Sequence, residues 1–230
     1  MKYMGSKNRI AKHLLPIMLE NRGNRTWVEP FVGGANMIDK VDGKRIGADI
    51  NKYLIALLNE MSKPDFKAPE ITEQKYKDIK DNKDNYPLWV VGYAGFQLSF
   101  GAMWFGTYRR DKQGKRSYCA EAQNNVNKQS KKLKGISFIN SSYQDLKIPP
   151  NSLIYCDPPY EGTVTYKASE TEFNHLEFWE WCRTKTKEGH QVFISEYNAP
   201  KDFKSIYDSE LTNGLNGKKA IEKLFVYRVR

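Results

Sequence analysis

Short apolar runs alternate with helical stretches toward both ends of this 230-residue chain. Six runs have the length and content of buried strands: 26–28, 45–50, 137–139, 152–156, 190–195 and 223–227. Apolar spacing predicts a helix capped by Ser6 that Pro16 ends or kinks, and another that begins at Asn51. A further helix is expected between the first two strands. This order is typical of a doubly wound, Rossmann-like α/β sheet flanked by helices.

The middle of the chain interrupts this pattern. Residues 63–85 are rich in Lys, Asp and Glu, whereas residues 86–108 are aromatic, uncharged and contain four glycines. A buried helix followed by a glycine-rich turn is the favoured interpretation of 86–108, because a membrane span needs a more strongly apolar run. The sequence therefore predicts a catalytic domain of residues 1–58 and 136–230, with a small, mostly helical insert at 59–135.

Composition narrows the class of protein. The chain has 37 Lys and Arg against 27 Asp and Glu, a net charge of +10, which favours a polyanionic partner such as nucleic acid. A solvated lysine-rich surface is the plain alternative. An aromatic content of 13% excludes a disordered chain, and 28% charged residues exclude a polytopic membrane protein. Three cysteines and three histidines without ligand spacing predict reduced thiols, no metal site and a cytoplasmic location.

Most of the charge surplus lies in residues 109–135, with nine basic and two acidic side chains directly after an aromatic cluster. A charge run is often only a solvated face. Cations beside aromatic rings are also what a DNA-contacting hairpin uses, and we favour that interpretation. The predicted DNA-binding residues are Trp104, Phe105, Tyr108, Arg109, Arg110, Lys112 and Arg116.

The tetrapeptide Asp157-Pro158-Pro159-Tyr160 follows a predicted buried strand. The two prolines fix the backbone and remove two donors, so the turn is rigid and its carbonyl groups are free to accept. The Asp157 carboxylate and the Tyr160 ring together suit a planar group that carries an amine. Hydrogen bonds to the amine favour the pyramidal form that attacks an electrophile. An ordinary Asp-Pro turn is the alternative for this motif taken alone.

A second candidate site is the glycine loop that follows the first strand, residues 29–35. It lacks the G-x-G-x-x-G spacing of a dinucleotide site, but Gly33 and Gly34 allow a ligand to approach the backbone closely. Asp49 ends the second strand, where nucleotide-binding α/β folds put a ribose-binding carboxylate.

Five blocks together resemble the Dam-like DNA adenine-N6 methyltransferases of the α group and D12 class, particularly short phage and prophage forms. They are KYMGSK (2–7), VEPFVGGA (28–35), ADIN (48–51), YCDPPY (155–160) and VFISEYNAP (192–200). The resemblance implies a site for S-adenosyl-L-methionine formed by Tyr3, Lys7, Glu29, Phe31, Gly33, Gly34, Asp49, Ile50 and Asp157. It also implies that Asp157 and the Pro158 carbonyl hold the target amine while Tyr160 stacks on the base.

The implied reaction is direct methyl transfer to adenine N6 in a base flipped out of double-stranded DNA, with residues 161–171 as a mobile cover. Methylation of RNA adenine or cytosine N4 by the same fold, and a silent DNA-binding regulator, remain alternatives. The insert does not match the GATC-reading pattern of Dam enzymes, so that recognition sequence is not expected. Ser141 and Ser142 stand where relatives often have an acid. A cognate restriction endonuclease is a further possible partner, and the oligomeric state is not evident from sequence.

Overall fold

The computed structural model describes residues 1–111, 113–161, 173–212 and 219–228. Within them, the strands are β1 (Trp27–Glu29), β2 (Arg45–Asp49), β3 (Ile136–Asn140), β4 (Leu153–Cys156), β5 (Gln191–Glu196), β6 (Phe203–Thr212) and β7 (Lys219–Tyr227). They form one sheet in the order β3-β2-β1-β4-β5-β7-β6. β1 to β5 are parallel, and β7 is antiparallel to both of its neighbours. The strand order reverses between β1 and β4, which is where doubly wound sheets bind ligands.

The helices of the described residues are α1 (Ala11–Leu19), α2 (Lys52–Met61), α3 (Glu73–Asp81), α4 (Leu88–Gln97), α5 (Tyr118–Leu133) and α6 (His175–Lys187). The predicted α/β class is confirmed. Asn51 begins α2 immediately after β2, because its side chain accepts hydrogen bonds from the backbone N–H groups of Tyr53 and Leu54.

The two faces of the sheet carry separate parts of the core. On one face, Trp27, Leu153 and Tyr155 pack with residues of α1, α2, α4 and α5. On the other face, Val28 and Ile154 pack with residues of α6. All four residues of β4 are buried, as expected for a central strand covered on both sides.

The uncharged stretch 86–108 forms the buried helix α4 and a following turn, as predicted. A Cβ on Gly92 would lie 2.3 Å from the Tyr53 carbonyl oxygen, so glycine is what lets α4 approach α2 so closely. No helix within the described ranges is long and apolar enough to cross a membrane. Apolar residues of the insert belong to the same core as α1 and α2, so residues 59–135 pack onto the sheet domain through a shared interior.

Three local features differ from the sequence prediction. Pro16 lies inside α1, which continues to Leu19 because Leu14, Leu15 and Met18 are buried on one face. The connection between β1 and β2 contains a short 3₁₀ turn, Ile38–Lys40, where a helix was predicted. β6 was not predicted, since its polar residues break the alternation of an ordinary strand. It pairs along β7 with an irregularity between Ser205 and Tyr207.

Candidate active site

The predicted site residues converge where the strand order reverses. Glu29 ends β1, and Asp157 directly follows the last residue of β4, which is the neighbour of β1 in the sheet. The carboxyl ends of parallel strands meet at one edge, so the glycine loop and the Asp157–Tyr160 turn lie side by side.

Asp157 forms an ion pair with a buried lysine. Lys7 Nζ lies 2.9 Å from Asp157 Oδ1 and 3.5 Å from Glu222 Oε1, so one ammonium bridges two carboxylates. The Lys7 and Glu222 side chains are 9% and 6% exposed, whereas the Asp157 side chain keeps 21% exposure. Asp157 is therefore the member of this cluster that a ligand can reach.

Burial and the Lys7 ammonium have opposite effects on the pKa values of the two carboxyl groups in this cluster. Burial raises the pKa of Asp157, and the Lys7 ammonium counteracts part of that rise. Burial likewise raises the pKa of Glu222, and Lys7 again opposes it. The pKa of Lys7 is raised, because its two carboxylate partners outweigh the effect of burial. The cluster therefore holds the Asp157 carboxyl group beside an ammonium in a mostly buried setting.

Tyr160 closes the cluster from the other side. Its hydroxyl donates to Glu222 Oε1 at 3.2 Å, and the Lys7 Nζ lies 4.6 Å from the centre of its ring. The edge of Tyr197 packs against it, with ring centroids 4.7 Å apart. Of the two intervening prolines, Pro158 is buried and Pro159 is exposed.

Glu222 was not among the predicted site residues. The sequence gives one indication of it: Glu222, Leu224 and Val226 lie on the same face of β7, so an acid shares that face with two apolar residues. Such a position predicts a buried carboxylate that needs a partner. The partner, Lys7, lies more than 200 positions away along the chain, so only the fold reveals it.

The glycine loop is tied to the end of β2 through Asp49. Asp49 Oδ2 accepts the Gly33 N–H at 3.2 Å, and its Oδ1 accepts the Asn51 N–H at 2.9 Å. Burial raises the pKa of Asp49 to about 6, and the two backbone donors counteract part of that rise. Each oxygen keeps a lone pair with which to accept from a further donor.

Tyr3, which is in the predicted cofactor set, packs over the glycine loop. A Cβ on Gly33 would lie 2.9 Å from Tyr3 Cε1, and one on Gly34 would lie 2.6 Å from Tyr3 Cβ. The loop therefore needs glycine at both positions to accommodate this ring. The far side of the Tyr3 ring contacts Phe96 of α4, at a centroid separation of 5.6 Å.

The other predicted cofactor residues differ in their accessibility. Phe31 is partly buried against Tyr143 and Phe178, with ring centroids 5.4 and 5.6 Å away. Ile50 is 65% exposed beside Asp49. Glu29 is 2% exposed and accepts a 2.7 Å hydrogen bond from Trp27 Nε1, so its carboxyl group is buried within the protein. Burial raises the pKa of Glu29 well above its ordinary value.

The predicted hairpin is present, but the three aromatic residues predicted to bind DNA pack against the protein, with Phe105 buried and Trp104 and Tyr108 partly buried. Residues 98–109 pair through Phe100 N to Thr107 O (2.7 Å) and Arg109 N to Leu98 O (2.9 Å). Phe105 is 6% exposed, Trp104 packs between Phe96 and Phe105, and the Tyr108 hydroxyl donates to Ile71 O at 2.9 Å. These three rings support the hairpin, and the exposed ring beside the cations is Phe100, at 62%.

The basic residues predicted to bind DNA differ in how far their side chains are exposed to solvent. The Arg109 side chain is 10% exposed and lies over the Tyr118 ring, whereas Arg110 is 61% exposed and pairs with Glu73 at 2.7 Å. Arg116 is exposed. Lys112 lies outside the described residues, and so does the predicted cover beyond Glu161.

Comparison with known proteins identifies the family to which this chain belongs. The sequence profile of the D12 class N6 adenine-specific DNA methyltransferases matches residues 3–89 and 105–222. The chain is similar to the Type II methyltransferase M.FokI of Planomicrobium okeanokoites, with 23% identity over 189 residues that cover 70% of this chain. That alignment spans 28% of M.FokI, so the chain corresponds to about a quarter of the curated relative.

Among solved structures, the chain is similar to a Haemophilus influenzae protein described as a methylase, HI0767. The identity is 13%, the match covers 95% of this chain and 96% of that one, and the TM-score is 0.39. The Rossmann-like fold is defined by the strand order β3-β2-β1-β4-β5-β7-β6 of the sheet.

Proposed function

This chain belongs to the D12 class of N6 adenine-specific DNA methyltransferases, and we propose that it moves a methyl group from S-adenosyl-L-methionine to adenine N6 in DNA. The observation that carries the proposal is the Asp157 carboxylate, held by Lys7 and partly exposed at the switch point of the sheet. The cofactor supplies a methyl group already activated on a sulfonium. The protein therefore has to hold and orient an amine.

Asp157 and the Pro158 carbonyl are the acceptors we propose for the N6 protons. An exocyclic amine is a weak nucleophile because its lone pair is delocalised into the ring. Two acceptors that bind its protons favour the pyramidal form, and these hydrogen bonds strengthen as positive charge develops on nitrogen. Tyr160 supplies an aromatic face for the base. The Pro158-Pro159 backbone keeps this arrangement rigid.

The chemistry of the neighbouring residues fits the cofactor. The Asp49 carboxylate accepts two backbone N–H groups and keeps lone pairs suited to ribose hydroxyls. Exposed Ile50 and the partly buried ring of Phe31 offer apolar surface suited to an adenine. Tyr3, Gly33 and Gly34 would border the same ligand. The Lys7 ammonium, which the resemblance assigns to the cofactor carboxylate, bridges Asp157 and Glu222, so we propose that it serves mainly to hold Asp157.

The proposed substrate is double-stranded DNA, from which the target adenine has to leave the stack, because N6 is inaccessible to Asp157 within a duplex. We propose the hairpin of residues 98–109, with Arg110 and Arg116, as part of the DNA-binding surface. M.FokI is named as a Type II methyltransferase. A restriction-modification setting with a cognate endonuclease, in the bacterial or phage-infected cytoplasm, is the corresponding proposal for this chain.

The test is transfer of labelled methyl from S-adenosyl-L-methionine to duplex DNA, with Asp157→Asn and Asp157→Ala as variants. We expect label on adenine N6 in the wild-type reaction, and a loss of at least a hundredfold in both variants without loss of DNA affinity. Label on cytosine N4 or on RNA alone would favour the amine-specific alternative. Tight cofactor binding without transfer to any DNA would favour a silent regulator.

A further inference from the structure

A cleft of about 550 Å³ lies between the start of the chain and the hairpin of residues 98–109. One wall consists of residues 1–3, 6, 8 and 9, and the other of residues 99–102, 109, 110 and 118. Ser6 lines the cleft, and the next residue, Lys7, reaches Asp157. The cleft therefore adjoins the proposed catalytic site.

The two walls are fixed relative to each other. Gln97 of α4 accepts the Lys2 N–H at 3.1 Å and donates to the Lys2 carbonyl at 2.9 Å, which joins the first wall to the insert through two hydrogen bonds. Lys2 also pairs with Glu121 of α5 at 2.5 Å. Because these bonds already connect the walls, the cleft needs no large rearrangement before it binds a ligand.

The charge of the lining is positive. None of the residues that line the cleft is acidic. Four of them are basic: Lys2, Arg9, Arg109 and Arg110. Lys2 and Arg109 share one carboxylate, that of Glu121, and Arg110 pairs with Glu73. Arg9 is exposed and forms no ion pair within the described part of the chain. Four cations against two carboxylates leave two positive charges uncompensated.

We propose that this cleft binds the phosphate backbone of the DNA, with Arg9 as the main phosphate contact. The inference rests on the proposed function and extends it, because it adds residues 1–9 to the proposed DNA-binding surface. An exposed arginine without a carboxylate partner gives up no ion pair on binding phosphate, unlike Arg110. Ser6 and Asn8 add neutral donors beside it.

The experiment measures affinity for a fluorescently labelled duplex by anisotropy between 50 and 300 mM salt, without cofactor. Arg9→Ala is expected to weaken binding by about tenfold and to make the log–log salt slope shallower by about 0.9, the value for one phosphate contact. Arg9→Lys is expected to restore the slope. Lys12→Ala removes an equal charge from the exposed face of α1, outside the cleft, and is expected to leave the slope unchanged.

A fourth variant changes binding in the opposite direction. Glu73→Gln releases Arg110 from its 2.7 Å partner, so we expect it to tighten binding by roughly two- to fivefold, the range of an exposed ion pair. A damaged fold would not produce that gain. If the Glu73→Gln variant binds DNA no more tightly than the wild type, Arg110 does not contact phosphate. The proposal that both walls of the cleft bind DNA would then be overturned.

The outcomes separate this inference from the proposed function. An unchanged salt slope in Arg9→Ala, or an equal loss in Lys12→Ala, overturns the cleft even if the wild type methylates DNA. A wild type that shows the expected salt slopes but transfers no methyl group refutes the proposed function and leaves the cleft standing. A wild type that binds no duplex overturns both.

Discussion

Because Lys7 bridges Asp157 and Glu222, substitutions of Glu222 and of Lys7 are expected to move the pKa of Asp157 in opposite directions. Asp157 has to be ionised to accept the N6 protons, so methyl transfer is expected to decline as the pH falls through the raised pKa of Asp157. Glu222→Gln removes a negative charge near Asp157 and leaves Lys7 with one carboxylate partner. Both changes favour the Asp157 carboxylate, so the acidic limb of the pH profile is expected to move to lower pH.

The size of this shift follows from the geometry. Both carboxylates contact the same Lys7 nitrogen, at 2.9 and 3.5 Å, so these two oxygens lie no more than about 6.4 Å apart. Two unit charges at about 6 Å interact by roughly 0.7 kcal/mol in water and 2.8 kcal/mol at an effective dielectric constant of about 20. At 1.36 kcal/mol per pKa unit, the limb is expected to move by about 0.5 to 2 pH units. The 21% exposure of Asp157 favours the lower half of that range.

Lys7→Gln is the counterpart. Loss of the ammonium 2.9 Å from Asp157 removes the charge that opposes the effect of burial, so the pKa of Asp157 is expected to rise. The acidic limb then moves up by about 1 to 3 pH units. Glu196→Gln is a matched control, because Glu196 is also a buried carboxyl but accepts backbone N–H groups and does not contact Lys7. We expect its acidic limb to stay in place.

The assay is single-turnover transfer of labelled methyl at saturating DNA between pH 4.5 and 8, which reports the chemical step. Urea denaturation at each pH separates catalytic from structural effects. Shifts of Glu222→Gln and Lys7→Gln in the same direction, or no shift in either, would refute the view that Lys7 and Glu222 set the ionisation of Asp157.

Two further predictions follow from the loop and the core. Gly34→Ala places a Cβ 2.6 Å from Tyr3 Cβ and 2.7 Å from Asn36 Nδ2, so affinity for S-adenosyl-L-methionine measured by calorimetry is expected to fall about tenfold. Gly23→Ala strains the backbone at φ +56°, but its Cβ would meet no atom within 4 Å, so we expect that affinity to stay unchanged. An equal loss of affinity there would contradict the reasoning. His190 Nδ1 accepts the Ser152 N–H at 3.1 Å and burial lowers the pKa of this imidazole. The unfolded chain therefore binds more protons, so this contribution to stability is present above pH about 6.5 and is lost as the pH falls through the lowered pKa of His190. His190→Asn should flatten that dependence in urea titrations, and an unaltered slope would assign it to other groups.

The local elements were largely predictable, because each depends on residues close together in the chain. The strand runs, the helix that begins at Asn51 and the buried helix of 86–108 are confirmed. β6 was not predicted, because it is a strand through its pairing with β7 and its own residues show no alternation of polar and apolar side chains. The aromatic residues of the hairpin were assigned to DNA because sequence spacing does not tell which side of a turn faces the core. The described structure directs Trp104 and Phe105 inward.

The order of residues along the chain already shows which chemical groups lie at the end of each strand: a glycine loop after β1, Asp49 as the last residue of β2 and Asp157-Pro158-Pro159-Tyr160 after β4. These are local facts, and the parallel arrangement of the strands carries them to one edge. The pairing of the charges, in contrast, depends on how distant parts of the chain pack together. The Lys7 bridge to Asp157 and Glu222 and the cleft between residues 1–9 and the hairpin join parts of the chain about 90 to 215 positions apart. Such contacts arise from packing, and no local pattern encodes them.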